Sequence, residues 1–129
     1  MKDKINTYVA QLQQDIPGFI GFSICEIQSG HCVYATSNNE NFNIELITAC
    51  NVDFIRAKFN TLNTGEIDDH VKNIIVNLEH QIHVIDITAD NAFFFYLAVS
   101  NKSANLAIIL SKLAQCKKIL NGTSTADQK

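Results

Sequence analysis

Residues 71–120 read VKNIIVNLEHQIHVIDITADNAFFFYLAVSNKSANLAIILSKLAQCKKIL, and this stretch decides the fold. Two runs rich in β-branched residues, 73–79 and 82–88, are followed by a third, 92–99, that is almost wholly apolar and aromatic. Such runs read as strands, and one that is apolar on both faces belongs in the middle of a sheet. The polar breaks at 79–81 and 89–91 are too short to hold crossover helices. The three runs therefore form an antiparallel meander. The amphipathic segment after them, with Ser103 as its expected N-cap and Gly122 just past its end at Leu120, folds back across the meander as a helix.

Upstream, 4–15 carries Ile5, Tyr8, Val9 and Leu12 at helical spacing, and Pro17-Gly18 closes it. Residues 19–27 and 32–36 are strand-like and flank Gln28-Ser29-Gly30, where glycine can supply the positive φ of a hairpin turn. Asn43 is the expected N-cap of a long helix reaching Leu62, with Gly65 as its stop. The order is helix, two strands, helix, three strands, helix. Two terminal helices can cover one face of a five-stranded antiparallel sheet and the middle helix the other. The expected architecture is a three-layer α/β/α sandwich of the α+β type. Residues 1–122 form one domain, and 123–129, small and polar, form a disordered tail.

The 129 residues are 47% hydrophobic, enough for one core, and the net charge of -3 leaves no basic footprint for nucleic acid. The N-terminal segment lacks the pattern of a signal peptide, and the longest apolar run is far below the roughly 20 residues of a membrane span. The expectation is a cytoplasmic protein without membrane insertion. In that setting Cys25, Cys32, Cys50 and Cys116 read as small buried hydrophobes that stay reduced. A Ser29-Gly30 turn would set Cys25 opposite Tyr34 and Cys32 opposite Ile27, leaving the two thiols diagonal and out of easy bridging reach.

Catalytic patterns are weak. His80 and His83 would point to opposite faces of a strand, as would His31 and Cys32, so neither pair makes a metal site or an activated thiol. No phosphate-cradling glycine loop, nucleophile elbow or paired-carboxylate motif is present, which points to a non-enzyme without cofactor or metal. Two sequons, at Asn101 and Asn121, are short enough to recur by chance.

On a helical wheel Ile44, Ile47, Val52, Phe54, Ile55, Phe59 and Leu62 form the core-facing stripe of the middle helix. Leu46, Cys50 and Ala57 widen the apolar arc to about 240°, more than double what packing on one surface requires. A second surface must cover the excess, with Asp53, Arg56 and Asn60 in the polar sector.

The hairpin GFIGFSICEIQSGHCVYAT, the run VKNIIVNLEHQIHVIDI and, most specifically, FFFYLAVSNKSANLAIILSKL together resemble the roadblock/dynein light chain domain family, of bacterial type, close to the longin and profilin-like folds. The resemblance covers nearly the whole chain; the opening helix is shorter than in eukaryotic members and the middle helix less alanine-rich. It implies a homodimer, or a heterodimer with a paralogue, formed through the middle helix and the adjacent strand. The interface residues would be Leu46, Cys50, Asp53, Phe54, Ala57, Asn73, Ile75 and Asn77. It further implies a non-catalytic module that binds or regulates a small Ras-like GTPase. A light-chain-like structural adaptor is the alternative, and a profilin-like ligand sensor a weaker one. Arg56 is the chain's one arginine, so any arginine finger offered to a GTPase would be this residue; its place on the helix favours a rim role.

Overall fold

The computed structural model describes residues 2–127, with side chains described for 3–121. The elements run α1 (Lys2–Asp15), β1 (Phe19–Glu26), β2 (Cys32–Ser37), α2 (Ile44–Thr64), β3 (Asn73–Asn77), β4 (Gln81–Ile87), β5 (Phe93–Ser100) and α3 (Leu106–Asp127). The five strands form one antiparallel sheet in the order β2-β1-β5-β4-β3. The three-layer α/β/α arrangement expected from the sequence is the one observed.

The pleat sorts β5 cleanly. Phe95, Leu97 and Val99 pack with Ile5, Tyr8, Val9 and Leu12 of α1 and Ile109, Leu113 and Cys116 of α3. Phe94, Tyr96 and Ala98 point the other way, into a cluster with Val52 and Ile55 of α2. Residues 94–99 are all buried, as a central strand covered on both faces must be.

Two local devices hold the ends. Gly18 takes φ +76 where the chain turns from α1 into β1, and its carbonyl accepts from the Ser100 N–H at 2.8 Å. A Cβ there would lie 2.9 Å from the Ser100 Cβ, so glycine is required for close approach as well as for conformation. Asn43 Oδ1 accepts from the Leu46 N–H at 3.1 Å, the expected cap of α2, and Gly65 ends the helix by donating to the Thr61 carbonyl.

Several expectations need correction. Asn105, rather than Ser103, caps α3: its side-chain oxygen accepts from the Ile108 N–H at 3.1 Å, which Ser103, two residues earlier, cannot reach in register. The helix then runs past Gly122 to Asp127, through most of the segment expected to be a disordered tail. A glycine costs a helix only about 1 kcal/mol, and nothing after it blocks the ladder as a proline would. The last two residues of that tail lie outside the described residues. β3 ends at Asn77 because the Leu78 N–H donates to the Gln81 carbonyl and closes the hairpin there.

The β1–β2 hairpin also differs. Ile24 pairs with Tyr34, but Cys25 pairs with Cys32, so Val33 is an extra residue bulged out of the ladder. The turn itself is closed by the Gly30 N–H on the Glu26 carbonyl, with Gly30 at φ +75. All four cysteines are free; Cys25 and Cys116 are buried, but Cys50 is exposed and Cys32 half-buried.

Candidate functional site

Helix α2 lies on the sheet through Ile44, Thr48, Val52 and Ile55. Thr48 Oγ1 donates to the Ile44 carbonyl at 2.6 Å and sits 2.8 Å from Ser23 Oγ, which satisfies its hydroxyl within the packed layer. On the far side Leu46 is 60% and Phe54 46% exposed, and Cys50, Asp53 and Ala57 are exposed with them. Phe54 was expected in the core-facing stripe. It lies outside because the helix settles on a narrower strip, and residues at positions 46, 50, 54 and 57 then line up on the outer face at helical spacing.

Arg56 fixes which way that outer face leans. Its Nη2 donates to the carbonyl oxygens of Ile27 at 2.6 Å and Gln28 at 2.7 Å, at the turn end of the β1–β2 hairpin. That flank of α2 therefore looks toward the β2 edge. At about 100° per residue, Phe54 lies roughly 160° and Cys50 roughly 120° round the helix from Arg56. The apolar stripe points away from the sheet, on the side of α2 opposite its buried residues Ile44, Thr48, Val52 and Ile55.

The β3 edge is open. The Lys72 carbonyl accepts from the Ile87 N–H, and the Leu78 N–H donates to the Gln81 carbonyl. With Ile74 opposite Ile85 and Val76 opposite His83, antiparallel alternation gives residues 74 and 76 the bonds to β4. The backbone groups of Asn73, Ile75 and Asn77 therefore point outward, away from the sheet. Their side chains fall on the α1/α3 face, where Ile75 is 36% exposed, while Leu46, Cys50, Phe54 and Ala57 stand on the α2 face. The eight expected interface residues thus do not form one side-chain cluster. The helix residues stand on α2, which packs over β1 and β2, while the strand backbones lie at the β3 edge on the other side of the sheet. The strand, NIIVN, carries no charge to deter pairing.

His83, on β4 next to this edge, has a role that the sequence reading missed. Its Nδ1 lies 3.1 Å from the Tyr96 hydroxyl and its Nε2 2.8 Å from Gln81 Oε1. Both contacts are satisfied by neutral imidazole protonated on Nε2, with Tyr96 donating to Nδ1. Phe42, from the connection into α2, meets the ring edge-on at 6.3 Å. Burial lowers the His83 pKa below its ordinary value.

On the opposite face Asp86 is 4% exposed, and Lys117 Nζ donates to its Oδ1 at 2.9 Å. Tyr8 donates to the Lys112 carbonyl at 2.6 Å, and its phenol is held protonated by burial, with Cys116 and Asp86 adding to the effect. These contacts join α1, α3 and the sheet. Among the described residues no group of three or more His, Cys, Asp or Glu side chains is placed to hold a metal ion, and no helix is long and apolar enough to cross a membrane.

No protein-family model matches the chain, and no curated protein sequence matches it. Solved structures do. A roadblock/LC7 domain from Streptomyces avermitilis superposes with a TM-score of 0.75 over 90% of this chain and 93% of that one, at 12% identity. MglB from Myxococcus xanthus superposes with a TM-score of 0.71 over 84% of this chain and 85% of that one, at 7% identity. Identities this low speak to architecture alone, and on architecture the chain has the roadblock-domain fold.

Proposed function

We propose that the chain is a non-catalytic, dimeric interaction module that binds or regulates a small Ras-like GTPase. The observations that carry the dimer are the exposed apolar stripe on α2 and the open, uncharged edge of β3. A monomer has no use for either, and a second copy would cover both.

The edge also suggests a register. Pairing Ile75 with its own copy, and Asn73 with Asn77 of the copy, engages all three outward-facing residues of each strand and makes about six backbone hydrogen bonds. A shift by two residues in either direction would forfeit about two of them. Antiparallel pairing of this kind places the two-fold axis perpendicular to the sheet, so both α2 helices stand on the same side of a continuous ten-stranded sheet. Leu46, Cys50, Phe54 and Ala57 of each copy would then be presented on that same side.

The roadblock fold and the sequence resemblance support the GTPase reading, with the α2 side of such a dimer as the platform. The test is to mix the purified chain with Ras-like GTPases from the same genome and follow complex formation, GTP hydrolysis and nucleotide exchange. Binding with a changed rate supports regulation, binding alone supports a scaffold, and absence of binding to every candidate removes the GTPase reading.

One observation favours the adaptor alternative. β2, at the other edge, reads CVYATS and is likewise uncharged, so an extended segment of a larger partner could add to it. Recovery of a large assembly component without a GTPase would support that reading.

A further inference from the structure

Cys25 and Cys32 were expected to lie diagonally, and the bulge at Val33 changes that. Directly opposed residues of an antiparallel pair have Cα atoms about 4.5–5.5 Å apart, inside the roughly 4.4–6.8 Å range that a disulfide spans. The extra residue also shifts the pleat, so that both side chains come to the α2 face. Cys25 belongs to the cluster under α2, and its thiol lies close enough to Cys32 and to Arg56 of α2 to feel their charge. The Cys32 thiol in turn feels Glu45, on the first turn of the same helix.

We propose that Cys25 and Cys32 are a redox pair, which a hydroperoxide converts to an intramolecular disulfide that staples the β1–β2 hairpin beneath α2. Cys32, half-buried, meets the oxidant first, and Cys25, buried beside it, resolves the product. The Cys32 sulfur attacks one peroxide oxygen and the O–O bond breaks. Cys32 becomes a sulfenic acid, and the departing oxygen leaves with the Cys32 thiol proton as water or an alcohol. The Cys25 sulfur then attacks the Cys32 sulfur and the S–O bond breaks. The hydroxide released takes the Cys25 proton and leaves as water. Two thiols are oxidised and one peroxide is reduced; with hydrogen peroxide the products are the disulfide and two waters.

At rest each thiol makes only a weak contact to backbone, Cys25 Sγ to the Glu26 carbonyl at 3.5 Å and Cys32 Sγ to the Tyr34 carbonyl at 3.4 Å. Bridging therefore costs no strong hydrogen bond. Burial pushes the Cys25 thiol up to about 11 and raises the Cys32 thiol as well, so little thiolate is present at neutral pH and the reaction is slow. The pair answers to sustained oxidant rather than to a brief pulse. The stapled loop contains Ile27 and Gln28, whose carbonyls hold Arg56, so the oxidised form ties α2 to a stiffer hairpin.

The experiment uses the full chain carrying Cys50→Ser, which removes the exposed thiol able to link two copies. After exposure to hydrogen peroxide and alkylation of the remaining thiols, the intact mass and a peptide map are recorded. The expected product has lost two hydrogens, has Cys25 and Cys32 in one linked peptide pair, and melts several degrees higher until a reductant returns it. Adding Cys32→Ser removes both the link and the rise in melting temperature. If native protein takes Cys32 to the sulfinic acid while Cys25 remains alkylatable, or if the Cys32→Ser chain loses two hydrogens all the same, the proposal is overturned. The oligomeric state, measured alongside, reports on the dimer reading separately.

Discussion

Replacing Leu46 by aspartate should separate the proposed dimer without unfolding the protomer. Leu46 is 60% exposed in the isolated chain. Complete burial of a leucine side chain is worth about 1.5–3 kcal/mol, so covering the exposed part in an interface contributes about 1–2 kcal/mol per copy, and about 2–4 kcal/mol for two copies. Losing that alone weakens dimerisation by roughly 30- to 1000-fold, since 1.4 kcal/mol is a factor of ten, and an unpaired carboxylate buried in the interface adds its desolvation cost. Within the protomer the change is mild. Leu46 is the third helical residue after the Asn43 cap, and a carboxylate in the first turn of a helix is favoured by about 0.3–1 kcal/mol. Light scattering at tens of micromolar should therefore move from twice the chain mass to the chain mass, while the urea midpoint of the dissociated protein indicates an intact fold. A Leu46→Asp chain that remains dimeric places Leu46 outside the interface. A wild-type chain that is monomeric at the same concentration removes the interface altogether.

Three other perturbations test the remaining contacts. Lys117→Ala leaves the carboxylate of Asp86, which is 4% exposed, without its partner, and should cost about 2–4 kcal/mol in a urea titration; a loss below 1 kcal/mol would mean that the ion pair contributes little. The depressed pKa of His83 makes stability pH-dependent: above about 6.5 the ring is neutral both folded and unfolded, and as pH falls below that value the unfolded chain takes up the proton more readily, so stability declines until the folded pKa is reached. His83→Gln should flatten that decline between pH 7 and 5, and an unchanged profile would assign it to another group. Arg56→Ala removes two donors from the hairpin carbonyls and should lower stability by about 1–2 kcal/mol while leaving any GTPase binding and stimulation in place. Loss of stimulated hydrolysis with binding intact would make Arg56 a finger after all.

Helices and strands were legible where periodicity is strong. The apolar run of β5 announced a strand buried on both faces, and the caps Asn43 and Gly65 lie where their chemistry put them. What failed was local geometry between equally good options. Ser103 and Asn105 are both capping types, and only the helix register decides between them. A turn at Ser29-Gly30 is compatible with a regular ladder or with one extra residue, and no single sequence declares the bulge at Val33. The wheel of α2 showed an arc too wide for one surface, but not which part of it would lie down, so Phe54 was placed on the wrong side. The contact of Arg56 with Ile27 and Gln28 spans 28 or more positions of sequence, and that of His83 with Tyr96 spans 13, so neither leaves a local signature.

The bulge at Val33 bears on how large an assembly can grow. A sheet that pairs with its own copy at β3 still ends in two identical β2 strands, and isologous contacts at both edges would propagate into an endless ribbon rather than a closed pair. Val33 interrupts the straight ladder that such growth needs, twisting one end of β2 away from any flat template. If the chain pairs at β3 as proposed, straightening β2 by deleting Val33 should let such pairs polymerise, seen as growth in light scattering.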